Sequence, residues 1–491
     1  MAFGRSWIVI FLCLVSLQRT FSKLSFFTSS TSPPEISTYK SRWATQSSTR
    51  LPKNQPQTEC VDSYVALNFT GIGLQRIGDR FVNGPRVIEL HLNGNNITDV
   101  SCAAFDHLPN LKVLSLNGNN ISVDRLLLFD HNGLRKLVLD DNNKYCGDDF
   151  IVDRYLRALP SLLELHLRRN QITRFTVSLK TFSPRLTNLY LSGNKIESVD
   201  FLDYSPSTLT HLHLDDNSIG NVKTASLMNI VELTVSGNKI EELCASGCSG
   251  SSLALKNMPR LKSLNVSRNR ISEIAEDTFV DNKDLELLDL SVNKIAKLPS
   301  KLFNALLKNL LELRISHNSL TSIPNLCSLQ HLRRLDLRGN LISAIFRENF
   351  CRHMTHLKTL ILADNHITNV DANAFALLHS LHTLDLSSNR MTEIPAGLIT
   401  NASSTKVILM RNNSIETLDT LRNEKSHLEE LHLQENPLLH LKVSWWHAEK
   451  LPHLVLHLKD RQWIKQAENK TQEKSEEYCS LKKENTDNVW V

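Results

Sequence analysis

At 491 residues the chain exceeds the usual one-domain range, so it is either several domains or one repetitive array. Apolar and charged content are ordinary for a globular protein, and aromatic residues are sparse at 6%. The formal net charge of +5 is carried by Arg5 and Arg19 and by an excess of cations in residues 23–59 (Lys23, Lys40, Arg42, Arg50 and Lys53 against Glu35 and Glu59), which leaves a neutral body and argues against a nucleic-acid partner.

Residues 1–22 read as a signal peptide: Arg5 supplies the positive start, Trp7 to Leu17 the apolar stretch, and Thr20 and Ser22 small residues for cleavage. That stretch is too short to span a bilayer comfortably, and no later one approaches 18 apolar residues, so the expectation is a secreted, extracellular chain without a membrane span. Residues 23–59, rich in Ser, Thr, Pro and Gln, read as a disordered arm. Cys13 leaves with the leader and eight cysteines remain, which suits disulfides in an oxidising compartment. Six sequons, at Asn68, Asn96, Asn120, Asn265, Asn401 and Asn469, fit extracellular glycosylation.

From Cys60 onward a Leu-x-Leu-x-x-Asn pattern recurs, first at Leu90, Leu92 and Asn95. Its Asn returns at 119, 142, 170, 194, 217, 238, 269, 293, 318, 340, 365, 389, 412 and 436, at intervals of 21 to 31 residues. The paired Leu residues belong to a short strand whose alternate side chains point inward. The Asn turns the chain and offers its amide to backbone groups that would otherwise be orphaned. On this reading Asn412, which also begins a sequon, is a buried ladder residue protected from modification. One coil of about 24 residues buries roughly six apolar side chains at about 2 kcal/mol each, less than the backbone ordering it requires, so coils must stack. Val65-x-Leu67 and Leu454-x-Leu456 fit first and last strands, and Trp445-Trp446 reads as a plug for the open end.

Over residues 60–459 this array resembles the extracellular leucine-rich repeat superfamily. The resemblance implies an α/β solenoid with a curved parallel β-sheet on its concave face and an irregular or short helical convex side. Within that superfamily the chain is most similar to secreted leucine-rich immune proteins of the mosquito type, which combine a signal peptide, a repeat array and a C-terminal Cys-bearing segment. It departs from the wider pattern in one respect: Asn436-Pro437 is present, yet no Cys follows until Cys479.

The residue between each Leu pair forms a central column on the concave sheet: His91, Ser115, Val138, His166, Tyr190, His213, Thr234, Asn265, Asp289, Arg314, Asp336, Ile361, Asp385, Ile408 and His432. Two candidate binding patches emerge. His166, Arg168, Arg169, Tyr190, His211, His213 and Asp215 form a polar, partly aromatic one. Arg314, Arg334 and Arg338 with Asp289, Asp336 and Asp385 form a charged one; both also suit a merely solvated face. A sugar on Asn265 would stand in the centre of the sheet and confine a partner to one half or an edge.

Cys327 and Cys351, 24 residues apart on adjacent coils, are expected to pair. Cys244 and Cys248 fit a local bridge in the longest repeat, with a zinc site as the alternative. Spacing leaves Cys60, Cys102 and Cys146 unassigned. Residues 460–491 read as a charged tail open to a helical form, where Cys479 is free to make an inter-chain disulfide or to pair within the chain. No catalytic motif is present, His427 and His432 lack zinc-protease spacing, and no cofactor is called for. The expected function is binding of a protein ligand or a second leucine-rich repeat chain, in innate-immune recognition or scaffolding, with a matrix or adhesion protein or a Toll-ectodomain-like ligand-binding protein as the alternative.

Overall fold

The computed structural model describes residues 64–121, 131–142, 150–152, 159–222, 227–248, 250–303, 307–395, 398, 404–418, 428–438, 454–459, 462–466 and 479–481. The leader, the arm, Cys60, Cys146, Asn401, Trp445, Trp446 and Asn469 lie outside them. Among the described residues the dominant feature is a 19-stranded sheet. Its strands run in chain order and pair in parallel from Val65–Asn68 to Val455–Lys459, one strand per coil.

The paired Leu positions build the core. Leu90, Leu92, Leu114, Leu165, Leu167, Leu313 and Leu335 are among those with no exposed surface. They pack against inward residues from the far side of each coil, such as Ile97, Phe105 and Leu108. That far side carries several short two- or three-stranded pieces, an α-helix of one turn at Leu179–Phe182 and 3₁₀ turns at Asp200–Tyr204 and Arg347–Asn349. No helix among the described residues is long and apolar enough to cross a membrane.

The ladder Asn does the structural work its chemistry allows. The Asn340 amide nitrogen donates to the carbonyls of Ile315 (2.9 Å) and Leu337 (2.9 Å), while its oxygen accepts from the Leu320 N–H (3.0 Å). One side chain thus closes its own turn and pins its coil to the one before. The residue before it is left-handed in every coil of the pattern: Gly94, Gly118, Gly193, Gly237 and Gly339 carry positive φ there, as do Asp141, Arg169, Asp216, Arg268, Val292, His317, Asp364, Ser388 and Glu435.

That feature corrects one assignment. Asn412 has φ +50° and is exposed, so it occupies the left-handed position, and Asn413 is the ladder residue. Asn413 is buried and donates to the Leu386 carbonyl (3.0 Å) and the Met410 carbonyl (3.2 Å). The central column shifts with it: Ile408 is buried, and Leu409 lies between Asp385 and His432. A one-residue slip exchanges the two faces of a strand, which is why only one register is tenable. At both ends the slip is two residues and harmless to facing: Leu67 aligns with Leu90, and Leu456 with Leu431.

Where a helical form was open to the tail, the backbone forms strands. Gln462–Gln466 pairs antiparallel with Val455–Lys459, and Cys479–Leu481 pairs antiparallel with Gln462–Gln466. Such a turn-back ends a parallel stack by satisfying the last strand's backbone. In the longest repeat, Glu242–Cys244 and Ser252–Ala254 form a parallel pair on the far side, and Cys244 is joined to Cys248 with Cα atoms 5.9 Å apart. Cys327 is joined to Cys351 across adjacent coils with Cα atoms 5.5 Å apart. Cys102 is exposed and unbonded.

Candidate functional site

Parallel strands in register set like positions of neighbouring coils about 4.8 Å apart, near the stacking distance of flat rings. The strands Glu164–His166, Asn188–Tyr190 and His211–His213 use this directly. The His166 and Tyr190 rings stack at 4.1 Å, and Tyr190 and His213 at 4.6 Å. The Arg168 guanidinium lies 4.4 Å from the Tyr190 ring centre. Among the described residues Arg168 has no carboxylate within ion-pair distance, so its charge remains available to a partner.

The surroundings hold this stack in place. Glu164 meets Lys136 at 2.8 Å and His166 at 3.3 Å. The hydrogen bond with His166, aided by Lys136, outweighs burial and holds the Glu164 carboxyl down to about 2. His213 meets the Thr234 hydroxyl at 3.1 Å, and that hydroxyl donates to Asp215 at 2.6 Å. Asp215 also accepts the Ser236 N–H at 2.9 Å. Burial lowers the His213 pKa, the Arg168 charge adds to this, and Glu232 and Asp215 act the other way. His166, Arg168, Tyr190, His213 and Asp215 therefore form one assembly. His211 lies in the neighbouring column, in register with Asn188 and Glu232. Arg169 is set apart at a left-handed turn and paired with Asp141.

The second patch is brought together but is self-neutralised. Arg314 meets Glu312 at 2.8 Å and Asp289 at 3.4 Å. Arg334 meets Glu312 at 3.1 Å and Asp336 at 3.9 Å, and Arg338 pairs with Asp364. Asp385 spends one oxygen on the Ser387 N–H. Glu312 and Asp364, which sequence reasoning passed over, answer the arginines. Between the patches stands Asn265, half-buried in the central column between Thr234 and Asp289. Asn68 and Asn96 are exposed and Asn120 is partly so. Because Asn412 is exposed too, a chain made through a secretory pathway is expected to carry a sugar on it. Peptide mass spectrometry after enzymatic deglycosylation in heavy-oxygen water reads this, and a bare Asn412 beside a modified Asn96 contradicts it.

Sequence reasoning also missed a cluster at the last coils. His432 and His457 stack face to face at 4.0 Å, with Glu430 2.8 Å from His432 and 3.8 Å from His457. Arg411 meets the other nitrogen of His432 at 2.9 Å. Among the described residues this is the one group with the donor set for a metal ion. The rings, however, are parallel to within 1°, so their lone pairs run side by side and do not converge on a point. His211, His213 and Asp215 do not form such a group.

Three buried or half-buried histidines, His131, His213 and His457, have pKa values lowered, first by burial. Each depressed value means that the neutral form is favoured by folding. Their contribution is complete above the ordinary histidine value of 6.5 and is lost as pH falls below it. Glu164 adds a loss at lower pH, from its ordinary 4.5 down to about 2. The thermal midpoint is thus expected to drop between pH 7 and pH 5, less steeply in His213→Gln; an unchanged slope in that variant contradicts the assignment.

A model for leucine-rich repeats matches residues 85–143 and, through overlapping segments, 228–391, and a second repeat model matches 205–222. The solenoid is built of leucine-rich repeats. Mouse CD180 antigen is 30% identical over 287 residues, 56% of this chain and 42% of that protein. Mouse podocan is 27% identical over 367 residues, 72% of this chain and 56% of that protein. The leucine-rich repeat chain thus spans about half the length of these relatives. Among solved structures, a chain of the Drosophila Toll–Spatzle complex superposes with a TM-score of 0.51 at 18% identity, over 74% of this chain and 53% of that one, a likeness of fold.

Proposed function

We propose that this leucine-rich repeat chain is a secreted, extracellular binding protein without catalytic activity, which holds a protein ligand against the first half of its long sheet. The observation that carries this reading is the His166–Tyr190–His213 stack with Arg168, which has no carboxylate partner among the described residues, beside it. Tyr and Arg on a rigid, pre-ordered surface are the residue types that dominate binding energy at protein interfaces. The charged patch is the weaker candidate, because a partner would have to replace ion pairs already made. A sugar on Asn265 would fence the aromatic patch from the charged one.

Within that reading the role is innate-immune recognition or scaffolding. The sequence resemblance to secreted insect immune proteins supports it, and so does the shared fold with Toll, which is described as a hub in development and innate immunity through its complex with Spatzle. Likeness to podocan over 72% of the chain favours a matrix or adhesion role as the second reading. Recovering the protein from extracellular fluid and separating it with and without reductant tests the two. A second chain released by reduction supports the scaffold tethered through Cys479; a monomer in both lanes overturns the tether and favours the second reading.

A further inference from the structure

The neutrality of the body conceals a local imbalance. Immediately before each strand of the long sheet, one residue repeats at the same place on every coil and forms an edge row. Arg333, Lys358, His382 and Lys406 occupy it on four consecutive coils, and all are exposed. Their backbones lock the row: Lys358 N–H donates to the Arg333 carbonyl (2.8 Å), His382 to Lys358 (2.8 Å), and Lys406 to His382 (2.9 Å). Beside it, His331 and His356 lie 5.5 Å apart, each held to the carbonyl of the preceding coil. Arg352 lies in the approach to the same strand as Lys358 and is also exposed.

Some exposed cations on and beside the sheet are matched by acids one coil away. Lys136 meets Glu164 at 2.8 Å, Lys262 meets Glu286 at 2.7 Å, and Lys406 itself meets Glu429 at 2.6 Å. Arg333 and Lys358 have no such partner among the described residues. The approach segments 307–311, 329–333, 352–358, 378–382 and 404–406 contain no Asp or Glu at all. Two adjacent unmatched cations, Arg333 and Lys358, set at the strand spacing of about 4.8 Å and continued by His382 and Lys406, fit a linear polyanion whose charges also repeat along its length. The row holds no Phe, Tyr or Trp. Binding of single-stranded nucleic acid relies on interleaved aromatic platforms, so it is disfavoured here.

We propose that the edge row Arg333–Lys358–His382–Lys406 binds a sulfated linear polysaccharide. This surface is separate from the aromatic patch, so the chain can hold a protein ligand and a polysaccharide together. The test measures binding of the full chain to a heparin oligosaccharide across a salt series. Arg333→Gln/Lys358→Gln is expected to weaken binding on the order of tenfold and to flatten the salt dependence by about two charges. The charge-matched control Lys136→Ser/Lys262→Ser, which removes two paired cations, is expected to bind like the wild type, and matching thermal midpoints establish that both variants are folded. Equal losses in the two variants, or no heparin binding by the wild type, overturn the proposal. So does a desulfated oligosaccharide or a single-stranded oligodeoxynucleotide that binds as tightly as heparin.

Discussion

Asn413→Ala is expected to lower the stability of its coil by about 3 kcal/mol, while Asn412→Gly one residue away changes it by less than about 0.5 kcal/mol. Asn413 is buried, donates to the Leu386, Met410 and Arg411 carbonyls and accepts from the Met391 N–H. Alanine leaves those groups without a partner in a place water does not readily reach, at about 1–3 kcal/mol for each group left unpaired and with part recovered by relaxation. Asn412 makes one exposed contact with Ser388 and sits at φ +50°, a conformation glycine adopts without strain. Because coils share backbone hydrogen bonds with their immediate neighbours, the loss should appear locally, as faster amide exchange from Leu386 to Ile415, before it appears in global unfolding. Equal effects of the two substitutions would mean that the ladder position is misassigned.

Tyr190→Ala is expected to weaken binding of the protein ligand by about 2 kcal/mol, roughly thirtyfold in Kd, with no comparable change in thermal midpoint. Its ring fills the space between His166 and His213 and faces the Arg168 guanidinium, so its removal takes away contact area and lets three neighbours relax. Arg168→Ala should weaken binding and also reduce its salt dependence, since this charge has no carboxylate partner among the described residues. Arg314→Ala serves as the comparison: its guanidinium is held by Glu312 and Asp289, and its loss should leave the ligand bound within about threefold. A titration of each variant with the ligand captured by the wild type reads all three. A larger loss in Arg314→Ala than in Tyr190→Ala would transfer the site to the charged half.

Much of this was legible because the repeat imposes one rule many times. A Leu pair with an Asn three residues beyond states facing, turn and inter-coil bonding together, and stacking in register converts sequence position into a place on the sheet. The stack of His166, Tyr190 and His213 follows from that rule alone. What escaped depended on backbone conformation or on partners the column rule does not name. Asn412-Asn413 offers two candidates for one ladder position, and only the left-handed residue preceding each ladder Asn resolves them. The arginines of the second patch read as free charge because Glu312 and Asp364 were not weighed against them. His457 was not paired with His432 because the last strand lies two residues beyond the place that spacing implied. The tail reads as polar with thinly spaced apolar points, and its strands owe their form to an edge waiting to be paired, a demand no local pattern expresses.

The most direct test places a photo-crosslinking phenylalanine analogue at position 190 in one chain and at the exposed position 204, on a turn of the far side, in another. Both are exposed to extracellular fluid and irradiated, and the crosslinked products are compared by mass spectrometry. The binding face deduced for this solenoid predicts a single protein partner joined at position 190 and absent at position 204. The same partner joined at 204 and missing at 190 would contradict it.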